Sequence, residues 1–104
     1  MKKSEIFQTI LEVVCDCMEL TPNVVLSSDR TDDAVMARCM IASFGKDFGL
    51  SNKHLQQFLH FKSHSSVGYL LRTYAQRKAC DRHFRFYAST AAHELDKTMA
   101  KLGL

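Results

Sequence analysis

The chain reads as an all-α domain, a compact bundle of five to six helices, on three observations. Apolar residues recur at three- and four-residue steps along most of the 104 residues, the period of a helix with one buried face. Alternating apolar and polar runs of the kind a half-buried strand needs do not compete with that period. The single proline, Pro22, leaves the other periodic segments unbroken. At this length one domain spanning 1–104 is expected, and it buries roughly two-thirds of its unfolded surface without help from metal or disulfide.

The first helix is expected from Ser4, a candidate N-cap, to about Leu20, with Ile6, Phe7, Ile10, Leu11, Val14, Cys17 and Met18 on its apolar face. Thr21-Pro22 then offers a cap followed by proline at the first helical position, which opens one short turn through Leu26. Ser27-Ser28-Asp29-Arg30 is a loop. Thr31-Asp32-Asp33 supplies a cap and acids for the positive end of a helix running to Phe48, stopped by Gly49. Its broad apolar stripe (Val35, Met36, Cys39, Met40, Phe44, Phe48) marks it as the central helix.

Ser51 caps a third, short helix that buries Leu55, Phe58 and Leu59, and the tight turn His60-Phe61-Lys62-Ser63 follows. From about His64 the chain turns helical again with Val67, Leu70, Leu71 and Tyr74 inward. A last helix from about Arg82 carries Phe84, Tyr87, Ala91, Leu95, Met99 and Leu102 at helical spacing. The segment 51–80 thus has the grammar of a helix-turn-helix.

Charge singles out the same segment. Met1 to Asn52 holds five Lys/Arg against eight Asp/Glu, a net −3, whereas Lys53 to Tyr87 holds seven basic residues against Asp81 alone, a net +6. The remainder is neutral, so the whole chain stands at +3. A one-signed stretch on a second helix and its turn favours a polyanion partner. Lys62, Asn52 and Lys53 are candidate phosphate contacts that set register. Ser63, His64, Ser65 and Ser66 open the second helix with short donors and acceptors for base edges, and Tyr69 or Arg72 reaches base or backbone further along.

The string Lys62-Ser63-His64-Ser65-Ser66-Val67, together with the order of helices over roughly Ile6 to Leu95, resembles the C-terminal DNA-binding domain of the bacterial replication initiator DnaA. The family motif there is Arg-Asp-His-(Ser/Thr)-Thr-Val. The resemblance implies a Trp-repressor-like fold and sequence-specific binding of double-stranded DNA in replication or transcription control. It also implies that His64 and the following hydroxyl residues Ser65 and Ser66 contact bases in the major groove, and that Lys62 stands for the family arginine. Laid together, the two sequences put Arg30 at the loop arginine that enters the minor groove, and Arg38 and Lys46 at central-helix positions that contact the backbone. This chain departs from the family in three places: Asp29, Asp32 and Asp33 dilute the basic loop, Ser63 replaces the base-reading Asp, and His60-Phe61 replaces a glycine-rich turn. These departures weaken the expectation for the family's usual replication-origin box.

Full-length members of that family carry an ATPase module, whose phosphate-cradling loop needs Gly-Lys-(Ser/Thr) after a glycine run. Gly45, Gly49, Gly68 and Gly103 form no such loop, so a stand-alone DNA-binding domain without ATPase or other enzymatic activity is expected. No cofactor, metal, small-molecule substrate or membrane partner is expected either. Cys15, Cys17, Cys39 and Cys80 sit in apolar segments and read as buried thiols of a cytoplasmic, reducing setting. The alternative is a protein-interaction or dimerisation module built on a degenerate helix-turn-helix, in which the basic segment docks an acidic partner or Phe84, Phe86 and Tyr87 of the C-terminal helix form an exposed apolar patch, with Phe86 off the main stripe.

Overall fold

The computed structural model describes residues 1–61 and 64–104, with the backbone alone at 64 and 65. Its elements are α1 (Lys3–Met18), α2 (Pro22–Leu26), α3 (Asp32–Asp47), α4 (Asn52–Phe58), α5 (His64–Cys80) and α6 (Arg82–Lys101), with no strand among the described residues.

Local chemistry explains most of the boundaries. Thr21, Thr31 and Asp81 each accept a backbone N–H three residues on, at Val24, Ala34 and Phe84, which starts α2, α3 and α6. Ser51 and His54 satisfy each other's backbone donors reciprocally at the head of α4. The first helix begins earlier than expected: Lys2 is its N-cap, and Ser4 lies inside the first turn. It also stops before Leu20, because Glu19 adopts a left-handed φ of 56° and the Leu20 N–H closes on the Cys15 carbonyl.

α3 touches every other helix and is the centre of the bundle. Its residues Met36, Ala37, Cys39, Met40 and Ile41 are fully buried among Ile10, Val14, Leu55, Val67 and Phe84. Tyr74 joins three helices, its ring packed edge-on against Phe44 at 6.2 Å and Phe84 at 5.4 Å. Phe84 has no exposed surface, and burying such a ring contributes about 2–3 kcal/mol. The Lys3 ammonium donates to the Gly49 carbonyl at 3.1 Å and ties the start of α1 to the turn after α3.

Two core expectations are corrected. Leu102 is 51% exposed, because α6 ends at Lys101 and Leu102 serves as its C-cap beyond the buried stripe. Cys80 is exposed at the end of α5, and Cys17 is only half-buried, whereas Cys15 and Cys39 are buried as expected. The thiols of Cys15 and Cys39 are pushed up to about 11 by burial, which keeps them protonated. Among the described residues no helix is long and apolar enough to cross a membrane.

Candidate nucleic-acid interface

The segment joining α2 to α3 is a loop built by its own side chains. The Ser27 hydroxyl donates to the Val24 carbonyl at 2.7 Å and accepts the Asp29 N–H at 3.1 Å. Asp29 in turn accepts the Thr31 N–H at 2.8 Å, and these Thr31 donors hold its carboxyl below the usual carboxylate range. Asp32 is occupied elsewhere, 2.7 Å from Arg77 near the end of α5. Two of the three acids that dilute this loop are therefore matched by donors other than Arg30. Among the described residues Arg30 makes no ion pair, and it stands exposed.

Arg38 underpins the loop from inside. Only 7% exposed, it donates from Nε to the Val25 carbonyl at 2.8 Å and from Nη2 to the carbonyls of Ser27 at 2.9 Å and Val24 at 3.4 Å. These carbonyls lie at the C-terminal end of α2, where the helix leaves acceptors without an intrahelical partner, and the Val24 carbonyl is shared with Ser27. The guanidinium expected at the DNA backbone is thus engaged within the fold, where it meets the carbonyl of the fully buried Val25 and those of Val24 and Ser27 beside it. Burial holds its pKa below the ordinary arginine value, with Asp29 opposing that effect and Arg30 adding to it.

Across from this loop lies the turn between α4 and α5. His60 takes a φ of 61°, the left-handed conformation that glycine adopts without penalty. Its N–H closes on the Gln57 carbonyl, and the Phe61 N–H on that of Gln56, which ends α4 sharply. Between loop and turn runs a cleft of about 780 Å³. One wall is Leu26, Ser27, Ser28, Arg30, Val35 and Arg38, and the other is Leu59, His60, Phe61, Ser66, Tyr69 and Leu70.

The cleft brings together four expected site residues from distant parts of the chain, Arg30, Arg38, Ser66 and Tyr69, of which Arg38 is bonded to carbonyls of the fold. Tyr69 is 57% exposed at its rim. Arg72 is exposed one turn further along α5, its Nη1 lying over Gly68, 3.3 Å from where a β-carbon would stand. Lys53 is exposed on the first turn of α4, and Asn52 is half-buried with Oδ1 enclosed and unbonded among the described residues. Lys46 is exposed in the last turn of α3, on the order of 20 Å along that helix from the Arg30 loop, and it does not line the cleft. Lys62 and Ser63, and the side chains of His64 and Ser65, lie outside the described residues.

No family model, curated protein or solved structure matches this chain. Beside the apolar Leu26, Val35, Leu59 and Leu70, which were expected only as helix or core residues, the cleft residues not assigned to the site from sequence are Ser27, Ser28, His60 and Phe61. Helical period carries no signal for them, since their convergence depends on how the 27–31 loop packs across from α5. The described residues contain no group of three or more His, Cys, Asp or Glu side chains placed to hold a metal ion.

Proposed function

We propose that this chain binds double-stranded DNA through a helix-turn-helix formed by α4 and α5, as a DnaA-like domain without ATPase activity acting in replication or transcription control. The observation that carries the reading is the convergence of Arg30 with Ser66 and Tyr69 on one cleft. A loop cation beside the exposed face of a helix lets one element grip a groove or phosphate while the other meets base edges. The net +6 of residues 53–87 supplies attraction to the phosphate backbone. Within this reading Lys62, Asn52, Lys53 and Arg72 set register, and Ser63, His64, Ser65 and Ser66 read bases. Arg38 shapes the loop that presents Arg30.

A titration of the 15N-labelled chain with a duplex tests the location. Amide shifts gathered at Arg30, Ser66, Tyr69 and Arg72 support the reading, and shifts gathered around Phe86 oppose it.

One observation favours a second reading. Phe86 is 65% exposed, with its ring 5.9 Å from that of Tyr87, which also meets His83 edge-on at 4.7 Å. An exposed aromatic group of this kind suits a protein partner or a second copy of the chain. Sedimentation of the wild type against Phe86→Ser over a range of concentrations distinguishes the two: a wild-type dimer that the variant dissolves favours the interaction module.

A further inference from the structure

We propose that the cleft between the 27–31 loop and α5 is a binding site for a small amphipathic anion, a ligand with a flat apolar body and one carboxylate- or sulfonate-like group. This goes beyond the DNA reading and stands on the cleft itself. The volume of about 780 Å³ falls within the range of small-molecule sites. Leu26, Val35 and Phe61 are half-buried side chains that turn apolar surface into it, and Tyr69 adds an exposed ring at the rim. Phosphate oxygens gain nothing from that surface, whereas a planar apolar body covers it.

The anionic group follows from charge. Two guanidinium groups line the same cleft, Arg38 at 7% exposure and Arg30 on the loop. Arg38 is hydrogen-bonded to carbonyl oxygens and makes no ion pair among the described residues. Carbonyl dipoles meet its Nε and Nη2 donors without neutralising its charge, and Asp29, the acid nearest in effect, does not line the cleft. An anion seated between two cations in a partly apolar setting gains more than it does in water. Among the described residues the walls hold no cysteine and no carboxylate.

The test uses the purified full chain without DNA and two fluorescent probes, anilinonaphthalene sulfonate and the neutral phenylnaphthylamine. The expected result is saturable binding of one sulfonate probe per chain, about tenfold tighter than the neutral probe, the scale of one charge-assisted hydrogen bond. Val35→Phe fills the cleft without altering charge and lowers sulfonate affinity about tenfold or more. Tyr69→Ala, at an exposed position that leaves folding intact, lowers it several-fold. Absence of saturable binding, equal affinity for the two probes, or undiminished affinity in both variants overturns the proposal.

Discussion

Arg77, near the end of α5, holds Asp32 in the first turn of α3 at 2.7 Å, a bridge between residues 45 positions apart. It joins the far end of the proposed recognition helix to the start of the central helix, immediately after the Arg30 loop. Asp32 also serves the positive end of α3, so one carboxylate meets two attractions.

Asp32→Asn is expected to destabilise the fold by at most about 1 kcal/mol, because both partners remain partly in water. The Arg77 guanidinium donating to Asp32 holds its carboxyl below the ordinary aspartate value. A depressed carboxyl contributes stability that is fully present above its unfolded-state pKa and is lost as pH falls through the folded one. The wild type therefore loses this increment below about pH 4, and Asp32→Asn flattens that part of the acid limb. Urea midpoints at pH 7 and pH 3 check both the size and the sign.

Arg38→Ala is expected to cost about 2–4 kcal/mol in urea unfolding, since it removes charged hydrogen bonds and leaves the buried Val25 carbonyl unmet. Arg30→Ala, at an exposed loop position, stays within about 0.5 kcal/mol. A fully stable Arg38→Ala that loses only DNA affinity would return Arg38 to the phosphate-contact role and contradict its role in the fold.

The helix starts were legible because Thr21-Pro22, Thr31 and Ser51 act through bonds to residues three positions on, all visible in a short window. Ser4 misled for the same reason: a good capping residue at the second position of a helix looks like its start, and only the extended backbone of Lys2 reveals the true boundary. The central position of α3 showed in its broad stripe. The task of Arg38 did not, because it depends on carbonyls 11 to 14 positions away that are left open by a helix of five residues. The cleft was equally hidden, since its two walls are separated by some thirty residues and joined only by packing.

Glycine substitution tests the two strained turns. Glu19 and His60 hold φ of 56° and 61°, a region that costs an L-residue about 1 kcal/mol relative to glycine. Glu19→Gly and His60→Gly are each expected to raise stability by about 0.5–1 kcal/mol in thermal or urea unfolding. A loss at either position would contradict the left-handed turn there.

Thiol reactivity should separate the cysteines by burial. Cys80 is expected to react promptly with Ellman's reagent in the native chain, and Cys17 more slowly, its thiol raised first by burial and then by Glu94 and Asp16. Cys15 and Cys39 react only on unfolding. Release of all four equivalents without denaturant would show that α1 and α3 are not packed as described.

Within the proposed interface, Arg30→Ala and Tyr69→Ala are expected to weaken DNA binding, and Lys46→Ala to leave it nearly unchanged. His64→Ala is expected to erode discrimination between sequences by about 1–3 kcal/mol, whereas Lys62→Ala weakens all duplexes alike and lowers the salt slope by about one. Affinities measured for each variant on a preferred and a random duplex check the pattern. Equal losses for His64→Ala on both duplexes would count against base reading.

The central claim is most directly tested by fluorescence anisotropy of the wild-type chain on a random duplex and on a DnaA-box duplex, across roughly 50–200 mM salt. The account predicts binding whose logarithmic affinity falls linearly with the logarithm of salt, together with a preference for one duplex. No binding at the lowest salt would contradict it and leave the Phe86 surface as the seat of function.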